Sequence, residues 1–151
     1  AFDQPIGNWR VGNVKYMPSI FEEASAFNQP IGNWRVNKVT NMVSIFRDAW
    51  SFNQPIGDWR VDQVEDMTYV FRDASAFNQP LNDWQVDKVT HMYSMFAEAS
   101  SFNQPLGSWS RGRGWKFSGM FEGAVAFKSS KPVRRQPSTL EEHCDACCVI
   151  A

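Results

Sequence analysis

Apolar and polar positions along the chain recur with a period of 25 residues. Phe27, Phe52, Phe77 and Phe102 each open an Asn-Gln-Pro segment, and Phe2 opens a variant copy. Behind each phenylalanine the same columns follow in order. Ile6, Ile31, Ile56, Leu81 and Leu106 form one, and Trp9, Trp34, Trp59, Trp84 and Trp109 form the next. Two valine columns come after them, then Met17, Met42, Met67 and Met92 with Phe117 in fifth place. Phe21, Phe46, Phe71, Phe96 and Phe121 precede a final alanine column. A fixed period without insertions means stacked units that share a core, not a globule around one cleft.

Inside a repeat the spacing changes character. Trp34 and Val36 alternate with polar neighbours, as on a short strand buried on one face. From Val39 the spacing becomes three and four through Met42, Ile45, Phe46 and Ala49, which predicts a helix of about three turns. Asn37, Asp62 and Asp87 stand at its N-cap, and Asp62 with Glu65 makes a capping box. The Phe-Asn-Gln-Pro-Ile-Gly segment reads as a turn whose glycine supplies a left-handed residue, replaced by Asn82 in one copy. The stacked asparagines and glutamines are expected to form amide ladders that satisfy the turn backbone. The predicted fold class is therefore α/β, a solenoid of five repeats with a short strand and a short helix in each. Helices are wider than strands, so the stack should curve with its strands on the concave face.

The string Phe-Asn-Gln-Pro-Ile-Gly-Asn-Trp, followed by Val-x-x-Val-Thr-x-Met and a closing Phe-x-x-Ala, resembles the repeat of BspA-like leucine-rich repeat surface proteins. The resemblance covers residues 1–127. It implies a leucine-rich-repeat-like solenoid, a cell-surface location and an adhesive or binding role, and it does not imply an enzyme. The fifth copy departs from the pattern, with Arg111 and Gly114 in valine columns, and reads as a terminal, cap-like repeat.

Composition narrows the function classes. At 151 residues and 43% hydrophobic content the chain suits one domain with a core. Its net charge of −1 gives no reason to expect a nucleic-acid partner. No apolar run approaches a membrane-spanning length. The chain opens in mid-repeat at Ala1 and reads as a fragment or processed product. The repeats contain no cysteine, so the solenoid owes nothing to disulfides.

Chemistry-bearing residues are sparse. His91 stands alone in a column otherwise filled by Tyr16, Asn41, Asp66 and Lys116 and reads as a solvated surface position. Asp58, Asp62 and Asp66 lack the spacing of a calcium loop, and neither a nucleophile elbow nor a phosphate loop is present. No enzyme, metal or cofactor is expected. Function should then lie in the columns that vary. Arg10, Arg35 and Arg60 line up beside the tryptophans, a row suited to carboxylates or sulfated glycans. Trp50, Tyr69, Tyr93 and Trp115 leave the apolar columns for positions otherwise polar, and exposed aromatics favour interfaces. These seven residues are the candidate contacts for a protein or glycan partner.

From Lys128 the repeat pattern stops, and residues 128–151 have the proline and charge content of a flexible tail. It closes on Cys147, Cys148, Val149, Ile150 and Ala151, whose last four residues fit a prenylation box on Cys148 with Cys147 beside it. Membrane contact is expected only through such a lipid, which would place the protein on a cytosolic membrane face instead of the cell surface. The resulting expectation is a non-enzymatic binding or adhesion module. Its alternative is a structural subunit of a larger assembly, tethered by that tail.

Overall fold

The computed structural model describes residues 2–111 and 115–134. Successive 25-residue units stack as coils: coil 1 (2–25), coil 2 (26–50), coil 3 (51–75), coil 4 (76–100) and coil 5 (101–125). Identical side chains lie over one another from coil to coil. The indoles of Trp34 and Trp59 stack with centroids 6.4 Å apart and planes at 1°. Phe52 and Phe77 stack at 5.9 Å, and Phe46 and Phe71 at 5.7 Å. The two phenylalanine columns also face each other within a coil, Phe46 against Phe52 at 3.9 Å. Trp34, Val36, Val39, Met42, Ile45, Phe46, Ala49 and Phe52 are all buried, and their counterparts in coils 3 and 4 are buried too.

The predicted helix does not form, and this overturns the α/β reading with its strand and helix in every repeat. Among the described residues there is no helix, and the regular strands are β1 (Ser110–Arg111) and β2 (Val133–Arg134), paired in parallel. The spacing of three and four is instead met by consecutive tight turns. In coil 2 the amides of Ile45, Arg47 and Ala49 bond back three residues, to the carbonyls of Met42, Ser44 and Phe46. The intervening amides of Met42, Ser44, Phe46 and Asp48 point forward, to the carbonyls of Asp66, Thr68, Val70 and Arg72 in coil 3. Every donor is used, which is the requirement a buried backbone imposes. Left-handed residues make the alternation possible: Ser44 (φ 56°) and Asp48 (φ 57°) in coil 2, with equivalents in each other coil, ending at Gly119 and Gly123.

Spacing explains the outcome. Rings repeat along the columns at 5.4 to 6.4 Å, whereas an α-helix with its side chains is about 10–12 Å across. Helices at consecutive coils cannot share that pitch, but flat turns can. With no helices to splay one side, the ground for a strand-lined concave face is gone as well.

Three smaller expectations change with it. Asn37, Asp62 and Asp87 are not N-caps; each lies in a turn closed across it, such as the Val39 amide on the Val36 carbonyl at 2.9 Å. The Trp34–Val36 alternation of buried and exposed side chains is present without a strand, and the isolated parallel bridges, Tyr16–Asn41–Asp66–His91–Lys116, run through a separate column five residues beyond Val36. The glycine of the Pro-Ile-Gly turn is not left-handed. Gly32 is needed because a Cβ there would sit 2.6 Å from the Pro55 carbonyl oxygen of the next coil, so close approach between coils selects it.

The amide ladder does form. Asn53 Oδ1 accepts the Asn78 amide at 3.0 Å, and Gln79 Nε2 donates to both the Asn53 carbonyl and Oδ1 at 3.0 Å. The tryptophans carry a second ladder, each indole donating to a carbonyl of the preceding coil, as Trp59 does to Ile31 at 3.1 Å. Register continues past Phe127, which stacks on Phe102 at 5.8 Å, while the Lys128 amide bonds Asn103 Oδ1 at 2.8 Å.

Candidate functional site

The turn after each tryptophan sends every second side chain outward, and this places Arg10, Arg35 and Arg60 at equivalent exposed positions on three adjacent coils. Their neighbours in sequence, Trp9, Trp34 and Trp59, form a stack with 6.4 Å between successive rings. The row is rigid at its base, because two of those indoles are buried and tied to the preceding coil.

Pairing separates these arginines from the others. Arg47 bonds Glu22 at 2.9 Å and lies 3.1 Å from Asp48, the latter without hydrogen-bond alignment at its Nε, and Arg72 bonds Asp73 at 3.2 Å. Arg10 and Arg35 have no ion-pair partner among the described residues, and Arg60 has only a long contact to Asp62 at 3.7 Å. Asp62 is itself held below the usual aspartate range, first by the Gln63 side-chain amide, with partial burial opposing the shift. It therefore stays charged at neutral pH and sets the acidic end of the row.

The aromatic candidates do not join the arginines as one patch. Tyr69 and Tyr93 come together, the Tyr69 amide donating to the Tyr93 carbonyl at 3.0 Å. The Arg72 guanidinium lies 5.4 Å from the Tyr69 ring centroid, and His91 lies 6.0 Å from Tyr93. Trp50 is 57% exposed at the corner before Phe52, where coils 1, 3 and 4 carry serines and coil 5 carries Val125. Trp115 is half-buried in coil 5 and lines a pocket of about 490 Å³ with Phe117, Met120, Phe121, Lys131 and Pro132. Its indole nitrogen is buried without a hydrogen-bond partner.

His91 sits in the bridge row with its Nδ1 2.8 Å from Thr90 Oγ1. Sequence reading placed it on a solvated helix and so missed that Tyr16, Asn41, Asp66, His91 and Lys116 form one continuous line of paired backbone. The mixed polar content of that column carried no signal of pairing. Among the described residues, no cluster of three or more His, Cys, Asp or Glu side chains could hold a metal ion. The prenylation candidates Cys147 and Cys148 lie outside the described residues.

The fold and this face together define a repeat protein: stacked coils whose invariant columns are committed to packing and whose variable columns form the surface. Residues 1–74 and 32–134 match the family described as Mycoplasma protein of unknown function, DUF285. The chain belongs to that family. No curated protein and no solved structure matches it.

Proposed function

We propose that the chain is a non-enzymatic binding module whose Arg10–Arg35–Arg60 row takes anionic groups on a protein or glycan, carboxylates or sulfates. The observation that carries this reading is the contrast in pairing. Arginines on the tight-turn side are neutralised by neighbouring carboxylates, while those of the row are held in register and left free of close partners. The coils hold the three side chains at a fixed backbone pitch, and a planar guanidinium matches the geometry of carboxylates and sulfates. The resemblance of the repeat to BspA-like surface proteins supports a cell-surface, adhesive setting.

Binding to immobilised sulfated glycan and to an acidic peptide, in low and in physiological salt, tests the proposal. Alanine at all three arginines should weaken binding tenfold or more, and rising salt should do the same to the parent chain. Unchanged retention of the triple variant on both matrices would remove the row from function.

A further inference from the structure

The side of the stack that carries the arginine row is bounded on both edges by tight turns. In coil 2 the Trp34 amide bonds the Ile31 carbonyl at 3.0 Å on one edge, and the Val39 amide bonds the Val36 carbonyl at 2.9 Å on the other. The column of Arg10, Arg35, Arg60 and Gln85 runs between those turns, and its side chains reach both of them. Arg60 lies 3.7 Å from Asp62 on one edge, while Gln85 Nε2 donates to the Asp83 carbonyl on the other at 3.4 Å. Positions 58, 60 and 62 and their equivalents therefore share one surface. It runs along the stack, not across its ends.

Charge is divided along this side. Over residues 8–13 and 33–38, coils 1 and 2 carry Arg10, Arg35 and Lys38 and no carboxylate. Over residues 58–63 and 83–88, coils 3 and 4 carry Asp58, Asp62, Asp83 and Asp87 against Arg60 and Lys88. Neither half is neutralised from within. Arg10, Arg35, Asp58, Asp83 and Asp87 are exposed and have no ion-pair partner among the described residues, and the long Arg60–Asp62 contact sits where the sign changes. The lysines bond neutral amides, Lys38 to Asn13 at 2.8 Å and Lys88 to Gln63 at 2.6 Å, and so leave the division in place.

We propose that two copies of this chain meet side by side and antiparallel on this surface, an inference that rests on reading the arginine row as a binder of anionic groups and identifies those groups as carboxylates of the second copy. With the stacks running in opposite directions, coil 1 of each copy faces coil 4 of the other, and coil 2 faces coil 3. Arg10 then stands between Asp83 and Asp87 of the partner copy. Arg35 meets Asp58 and Asp62 of the partner copy, which serve it together with their own Arg60. The two-fold axis repeats every contact, as an isologous interface requires. Parallel alignment is excluded by the same charges, because it would set Arg10 on Arg10 and Asp83 on Asp83. Exposed ion pairs contribute little one at a time. The complementarity therefore sets orientation and salt dependence, and the dimer is weak.

Sedimentation velocity of the full chain over a wide concentration range, in low and in high salt, tests this. The parent should pass from monomer to dimer and no further, with its dissociation constant rising tenfold or more in high salt. Arg10→Glu places like charges together at both symmetry-related contacts. Asp83→Lys combined with Asp87→Lys does the same, so each of these variants alone should stay monomeric. Mixed together they should form a heterodimer, since the introduced glutamate meets the introduced lysines and the native Arg10 meets the native aspartates. Retention on sulfated glycan separates this interface from the binding role of the row: the aspartate variant should be retained at least as well as the parent. A parent that remains monomeric in low salt would overturn the interface, and so would a variant that dimerises alone. Failure of the mixture to associate, with each variant unfolding at the parent's temperature, has the same force. If the triple arginine-to-alanine variant still loses glycan in those cases, the row keeps its binding role and only the second copy is removed as its partner.

Discussion

At the residue scale, the ladders of amides and indoles show how polar groups are kept inside a narrow stack. Asn53 stands between coils and closes two bonds at once, to the Asn78 amide and the Gln79 side chain. Replacing it with alanine removes the acceptor of the Asn78 amide and leaves Gln79 only the backbone carbonyl at position 53, and urea unfolding should show a loss of about 1–3 kcal/mol. Coil 1 uses Asp3 in this role, with its Oδ1 accepting the Asn28 amide at 2.9 Å and Gln29 at 3.0 Å. Those bonds, the backbone one foremost, hold the Asp3 carboxyl below its usual 3.8. A lowered folded pKa means that the added stability is complete above the ordinary aspartate range and is lost as pH falls through the folded value. The Asn28 amide resonance should therefore titrate in acid below pH 3.8. Asp3→Asn, which restores the residue of the other coils, should abolish that titration while keeping the bond.

At the scale of the element, the tight-turn segment depends on residues that tolerate positive φ. Ser19, Ser44, Tyr69 and Ser94 share one such column and Glu23, Asp48, Asp73 and Glu98 the other, with glycines only in coil 5. Ser94→Val should cost about 1–3 kcal/mol, since a β-branched side chain is strained there. Ser94→Gly should be tolerated, and thermal unfolding of the pair separates backbone strain from loss of the hydroxyl. This segment is also where the helix expectation failed. Spacing of three and four reports which side chains lie on one side, and a run of i to i+3 turns satisfies it as well as a helix does. The distinguishing feature was the recurrence of Ser, Asp and Glu four residues apart at Ser44 and Asp48 and their equivalents, residues read as ordinary helix surface until their φ values were seen.

Across the whole molecule, stability is a sum over coil junctions, and among the described residues coil 1 has one junction where coils 2 to 4 have two. Native-state hydrogen exchange should find the forward-bonding amides of Ser44, Phe46, Tyr69 and Phe71 the slowest, with those of Ser19 and Phe21 in coil 1 opening first. A uniform protection profile would mean that the stack unfolds as one unit. The arginine row belongs to this scale too, because no single coil holds more than one of its members. Its alignment was legible from the period alone, and so were the buried columns and the amide ladder. The backbone pairing of Tyr69 with Tyr93 was not: the two are 24 positions apart in sequence and are joined only because the forward bonds skip to the adjacent coil.

From the chain alone come the period, the identity of every core column and the placement of varied side chains on the surface, because identical units in register must pack like against like. Only the tertiary structure decided the backbone path. Coil pitch is a property of neighbours, set by ring stacking and by amides bonding forward, and at that pitch flat turns fit where helices would collide. The same neighbour bonds give the stack its direction, the amides of each coil donating to the carbonyls of the next.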